Sequence, residues 1–261
     1  MSRPPMSLPF PTGYYRAEAK YADVLRQVGL PDAMSVFEHP KIEVWRSITE
    51  RENCVLDYDG GRLHIKRNKL KHRGVEEEAD AIRLLMTAGI GTVPLVAAGR
   101  LNDGRGFLIT DDLTGFEDAD VAVRNGLPFE RVLTATAEMA GRLHAAGLHH
   151  RDLYLCHFYV AATPDAAVEA RLMDAGRVKP LPTWFRRRWL VKDVAQLVYS
   201  LRQLNVSQSQ IDEWLTRYTA AGGATVDAAF RRAVDRKATA IGRHDAQLRR
   251  RQPTRNVSIN R

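Results

Sequence analysis

From Lys41 onward, apolar and polar positions alternate as a sheet requires. Ile42, Val44 and Ile48 recur through Lys41–Ile48 as on a half-buried strand. Cys54–Tyr58 is a second short apolar run, and Asp59-Gly60-Gly61 has hairpin-turn chemistry. In Arg62–Arg67, Leu63 and Ile65 face one way while His64 and Lys66 face the other. The period then lengthens: Ala79, Ile82, Leu85 and Met86 predict a helix over Val75–Ala88 with these residues on its inner face. Val93–Gly99 and Gly106–Thr110 read as two further strands. Beyond Asp111-Asp112-Leu113 the pattern is mostly helical. Phe129–Ala146 carries Val132, Leu133, Met139 and Leu143 in helical register and stops at Gly147. A strand at Phe158-Tyr159-Val160, a loop around Pro164-Asp165 and a run Arg171-Leu172-Met173 into Asp174 follow. Lys192–Leu204 and Gln210–Ala221 are amphipathic helices.

This order predicts an α+β chain in two lobes. Residues 41–110 form a small antiparallel-sheet lobe with one helix, and residues 111–230 a larger helical lobe beyond a hinge at Thr110–Leu113. The first forty residues read as an irregular, proline-containing leader with one helix, Ala17–Val28, ended by Gly29 and Pro31. Residues 231–261 read as a tail.

Composition changes this picture in few places. A chain of 261 residues with 44% hydrophobic residues can bury a sizeable core and is not globally disordered. No run approaches the ~20 apolar residues of a membrane span, and Met1–Gly13 lacks the apolar centre of a secretory signal. Cys54 and Cys156 are too few for a disulfide framework or a zinc site, so both are expected to be buried thiols in a reducing cytoplasm. Charge is more informative once localised. Residues 231–261 hold ten Lys or Arg against two Asp, so the whole formal excess of +8 lies there. Such a tail reads as a solvated or disordered extension, or as a segment drawn to an anionic membrane surface. Nucleic acid is not expected, because no aromatic residue interleaves with the arginines after Phe230.

The candidate chemistry centres on His150-Arg151-Asp152, on a short loop between a helix and an apolar strand. Phosphoryl transfer needs positioned phosphates, neutralised charge and an oriented nucleophile. Asp152 suits the last of these, accepting or orienting the proton of an acceptor hydroxyl. Lys66 lies on the third strand, from which a lysine reaches the phosphates of ATP. Glu78 is its expected partner, since Glu78, Ile82 and Leu85 share a helix face; Glu76 and Glu77 compete for that role. Asp174, before Ala175-Gly176, suits a metal-holding carboxylate. Asp193 at a helix start suits a brace for the loop backbone. His157 stands where a protein kinase places a metal-binding Asn; it is either a Mg²⁺ ligand or a core histidine donating to a carbonyl. The loop Thr49–Asn53 has no glycine, unlike a phosphate-covering loop. The loop chemistry alone leaves open a kinase of proteins or other small molecules, or a nucleotide-binding pseudokinase.

The stretch Leu143-His144-Ala145-Ala146-Gly147-Leu148-His149-His150-Arg151-Asp152-Leu153-Tyr154-Leu155-Cys156-His157-Phe158 resembles the lipopolysaccharide kinase family, which phosphorylates Kdo or heptose. Ile109-Thr110-Asp111-Asp112-Leu113 and Arg187-Arg188-Trp189-Leu190-Val191-Lys192-Asp193-Val194 extend the resemblance over roughly Lys41–Tyr218. It implies a protein-kinase-like fold, ATP and Mg²⁺ as cofactors, and an anionic glycolipid acceptor, the lipopolysaccharide core or a relative. It also implies a cytoplasmic enzyme, peripheral on the inner membrane. By this resemblance Lys66, Glu78, Asp112 and Asp174 hold nucleotide, Asp174 and His157 hold metal, and Asp152 with Lys66 is catalytic. Arg177 and Arg187 are then expected to face the acceptor.

Overall fold

The computed structural model describes residues 13–69, 74–161 and 167–251. The start of the leader (residues 1–12), the loop expected around Pro164-Asp165 and the end of the tail (residues 252–261) lie outside the described residues. Described residues up to Asp80, with Pro94–Asp112, form one compact unit; Ala81–Val93 and the chain from Leu113 form a second.

The first unit is built on a six-stranded antiparallel sheet. In chain order its elements are β1 (Tyr14–Ala17), α1 (Ala22–Gln27), α2 (Ala33–Glu38), β2 (Glu43–Ser47), β3 (Arg51–Tyr58) and β4 (Gly61–Asn68). The start of α3 (Gly74–Thr87), β5 (Leu95–Arg100) and β6 (Gly106–Asp111) complete it. The strand order is β1-β5-β6-β4-β3-β2. Alternation along β4 works as its sequence requires: Leu63 and Ile65 are buried with Cys54, Leu56, Phe107 and Ile109. Lys66, pointing the other way, reaches α3.

From Tyr14 onward the leader is regular. Tyr14–Ala17 adds an edge strand antiparallel to β5, and Tyr21, Leu25, Leu30 and Val36 cover the apolar sheet face. The expected single helix is broken into a 3₁₀ turn and α1, and Gly29 at φ 76° turns the chain toward α2. An Asp32–Ser35 capping box starts α2. Fully burying a Leu or Val side chain is worth roughly 1.5–3 kcal/mol, so this short layer contributes substantially to the unit. The edge strand β2 forms as expected but is exposed along its whole length, Trp45 included. Among the described residues no second layer covers it. Met86 is likewise exposed rather than on the inner face of α3.

The second unit continues with β7 (Glu117–Asp118), α4 (Ala119–Arg124), α5 (Phe129–Ala145), β8 (Leu148–His149), β9 (Phe158–Ala161), β10 (Glu169–Leu172) and β11 (Lys179–Pro180). It ends with α6 (Arg186–Gln203), α7 (Gln208–Ala220) and α8 (Ala228–Arg251). Helices α5 and α7 approach closely because position 141 is glycine; a Cβ there would lie 2.6 Å from the Tyr218 carbonyl oxygen. Trp214 stacks on Tyr218 in this interface and donates to Thr136 at 3.1 Å. The expectation of a solvated tail is corrected as far as Arg251. Residues 228–251 form a 24-residue helix that buries Phe230, Val234, Ala238 and Asp245, with Tyr199 of α6 donating to Asp245 at 2.9 Å. The arginines occupy the remaining faces. No helix among the described residues is long and apolar enough to cross a membrane.

Candidate active site

In the first unit the sheet register decides which side chains meet. β4 pairs with β3 on one side and β6 on the other, fixing Lys66 opposite Asn53 and Leu108. Its Nζ lies 2.5 Å from Glu78 Oε1, and the Glu78 side chain is only 6% exposed. A nearly buried carboxylate needs such a partner. The three glutamates of α3 are thereby separated: Glu76 takes Arg100 and the Tyr14 hydroxyl, Glu77 is exposed, and Glu78 takes Lys66. At the end of β6, Asp112 Oδ1 accepts from His64 Nε2 at 2.9 Å and Asp111 accepts from the Tyr21 hydroxyl at 2.7 Å. The glycine-free loop is shorter than expected. Strand β3 begins at Arg51, and Ile48 N–H bonds to the Arg51 carbonyl across a tight turn at 2.9 Å.

In the second unit one face of α6 holds the His150–Leu155 loop. Asp193 accepts from the backbone N–H groups of His150 at 2.7 Å and Arg151 at 2.9 Å. Gln196 accepts from Leu153 N–H at 3.2 Å, and Ser200 from Leu155 N–H at 3.1 Å. Positions 193, 196 and 200 lie on one helical face by their i, i+3, i+7 spacing. Asp193 was legible as a brace; Gln196 and Ser200 were missed, although that spacing was available in the sequence. Burial raises the Asp193 carboxyl pKa, but the His144 ring and the His150 N–H more than offset this and hold it below the ordinary range. His144 Nδ1 in turn accepts from Tyr218, whose oxygen accepts from Ala224 N–H at 2.9 Å. Arg151 is held at φ 73°, a left-handed conformation that costs a non-glycine residue ~1–3 kcal/mol. The Asp193 bond and a bond from Lys192 to the Arg151 carbonyl maintain it.

Asp152 is presented by this frame. Gln196 Nε2 donates to its Oδ1 at 3.3 Å, and Arg177 reaches both carboxylate oxygens at 3.0 and 2.7 Å. Its side chain remains 21% exposed. His157 donates Nδ1–H to the Asp152 carbonyl at 2.5 Å, one of the two roles its position suggested. With that tautomer the neutral ring presents the Nε2 lone pair, 3.8 Å from Asp174 Oδ2. Asp174 sits at φ 52°, a conformation Asp tolerates, and its side chain is 57% exposed. His150, fully buried, donates Nε2–H to the Met173 carbonyl and so ties the loop to the residue before Asp174. Burial lowers the His150 pKa and brings that of His149 down to about 4. Cys54 is buried and Cys156 intermediate; burial pushes the Cys156 thiol up to about 12.

The sequence-expected residues thus form pairs within each unit: Lys66 with Glu78, Asp112 with His64, Asp152 with Arg177, and His157 beside Asp174. Arg187 lies elsewhere on the second unit, 3.1 Å from Asp227 and over the Phe230 ring, in the wall of a cavity that Arg177 also lines.

Comparison with known proteins points to one family. The family described as lipopolysaccharide kinase (Kdo/WaaP) matches residues 41–218. The lipopolysaccharide core heptose(I) kinase WaaP of Pseudomonas aeruginosa is 31% identical over 216 residues, covering 72% of this chain and 80% of that protein. The protein of the same name from Escherichia coli is 31% identical over 208 residues, covering 69% and 78%. A solved structure of WaaP in complex with acyl carrier protein is similar with a TM-score of 0.69 at 25% identity, covering 87% of this chain and 98% of that one.

Proposed function

The chain belongs to the lipopolysaccharide kinase (Kdo/WaaP) family and is therefore an ATP-dependent kinase of protein-kinase-like fold; from that premise we propose that it phosphorylates a hydroxyl of heptose or Kdo in a lipopolysaccharide inner core or a related glycolipid. The observation that carries this reading is the Asp152 carboxylate, aimed by Gln196 on a loop whose backbone is bonded to three residues of one helix face.

Each residue then has one task. Lys66 binds phosphate oxygens of ATP, and Glu78 fixes the direction of its ammonium group. Asp112 holds nucleotide at the end of the sheet. Asp152 orients the acceptor hydroxyl and aids removal of its proton, help typically worth ~10²–10⁴-fold. Arg177 pairs with Asp152 in the absence of acceptor and turns to the acceptor's negative charge on binding. The half-exposed Asp174 carboxylate supplies a hard oxygen of the kind Mg²⁺ takes, and His157 Nε2 lies 3.8 Å from it. Mg²⁺ supplies neutralisation of phosphate charge when bound. His157 keeps its Nε2 directed at Asp174 by donating Nδ1–H to the loop backbone. The same reading puts the enzyme on the cytoplasmic face of the inner membrane. The basic turn Arg249-Arg250-Arg251 and the exposed Trp184 and Phe185 support contact with an anionic lipid surface.

The test is transfer of labelled γ-phosphate from Mg²⁺-ATP to purified lipopolysaccharide core. Label on a core sugar supports the proposal. Label on peptides alone, or on nothing, would move the assignment to another acceptor or to a silent nucleotide binder.

A further inference from the structure

Beside the Asp152 loop the second unit contains a cavity of about 550 Å³ whose polar wall is cationic. Arg151, Arg177, Arg187, Arg188, Lys192 and Lys237 line it, and no Asp or Glu among the described residues does. The volume exceeds that of one phosphate group and falls within the range of small-ligand sites. Four segments build it. Arg187, Arg188 and Lys192 come from the first half of α6 and Lys237 from α8; Arg151 directly precedes Asp152 in the chain, and Arg177, from the turn after Asp174, pairs with Asp152 in space.

Internal pairing leaves this charge incompletely matched. Arg177 pairs with Asp152, Arg187 with Asp227, and Lys192 donates to the Arg151 carbonyl. Arg188 and Lys237 have no ion-pair partner among the described residues, and the buried Arg151 Nε has no hydrogen-bond partner. Burial lowers the Lys192 pKa; Asp152 opposes that shift, while the Arg177 and Arg151 charges add to it. Arg186, Arg187 and Arg188 also occupy the first turn of an 18-residue helix with no acidic residue there. That placement sets like charge against the positive end of the helix dipole. A local rule broken in this way, beside a catalytic loop, points to a ligand that repays it.

We propose that this cavity is an anion subsite for the acceptor, taking a carboxylate or phosphate carried by the acceptor oligosaccharide, with Arg188 and Lys237 as its specificity-determining residues. The proposal rests on the kinase reading above and deepens it. Arg177 both lines the cavity and bonds Asp152, so an anion bound there lies close to the group that orients the acceptor hydroxyl. Lys237 lies beyond the family-matched segment 41–218, on a helix separate from the catalytic loop.

The test is equilibrium binding of purified lipopolysaccharide core oligosaccharide to the full chain, by calorimetry. Untreated, dephosphorylated and carboxyl-reduced forms of the oligosaccharide are compared. The double variant Arg188→Ala/Lys237→Ala should bind the untreated form at least ~10-fold more weakly, while its KM for ATP stays unchanged. Wild type should lose the same factor with one of the two treated forms, which identifies the anion, and the double variant should no longer distinguish that form. Arg188→Lys/Lys237→Arg should restore most of the affinity. Equal binding of untreated oligosaccharide by wild type and double variant would overturn the subsite, as would no binding by wild type. Binding without phosphate transfer would leave the subsite standing and remove the kinase assignment for this acceptor. Transfer with unchanged KM in the double variant would do the reverse.

Discussion

The Lys66–Glu78 pair and the Asp152 loop are made in different ways. The first depends on strand register and one turn of helix: β4 fixes Lys66 between β3 and β6, and α3 brings Glu78 to within 2.5 Å. The second is held by buried polar bonds, with Asp193, Gln196 and Ser200 gripping a loop that includes a left-handed arginine. A pair set by register needs little beyond the sheet. A loop in a costly conformation needs every brace. Substitutions in the two places should therefore fail differently, one chiefly in nucleotide use and the other in stability and chemistry together.

The largest effect that sharpens this contrast is expected at Asp193. Asp193→Ala leaves the His150 and Arg151 N–H groups and the His144 ring without their shared acceptor, which should cost ~3–5 kcal/mol. Urea unfolding should show it, and phosphate transfer should fall with it. A loss below ~1 kcal/mol would mean that the loop does not depend on this brace. Next is Leu30→Ala in the layer ahead of β2. Leu30 is fully buried, and its truncation should cost ~2–5 kcal/mol with a lower Tm. A neutral result would contradict the assignment of that layer to the core of the first unit.

A smaller effect concerns pH. His149 and His150 are buried and neutral, with folded pKa values below the ordinary 6.5, that of His149 at about 4. Protonation therefore favours the unfolded chain. The contribution of His149 is complete above about pH 6.5 and is lost as pH falls toward about 4; His150 acts in the same direction. Thermal melts across that window should decline, and His149→Gln should decline less steeply. Parallel declines in the two proteins would remove His149 from the explanation.

Much of this construction was legible in the sequence, for identifiable reasons. Alternation in Arg62–Arg67 put Lys66 opposite the apolar face, and spacing along α3 favoured Glu78 over its neighbours. The leader was misread because its strand has only four residues and its helices six each, too short to show a period. Helix α8 was hidden by its arginines, although Phe230, Val234, Ala238 and Asp245 follow one face. The start of α6 was missed because three arginines in a first turn oppose the helix dipole. In β2 the pattern gave the strand correctly and its burial wrongly, since burial depends on a covering layer and not on alternation.

The most direct test of the two-part account measures ATP binding and phosphate transfer side by side in Asp152→Ala and Lys66→Ala. The account predicts that Asp152→Ala binds ATP like wild type while transfer to lipopolysaccharide core falls ~10²–10⁴-fold, and that Lys66→Ala weakens ATP use itself. Transfer near the wild-type rate in Asp152→Ala would contradict it.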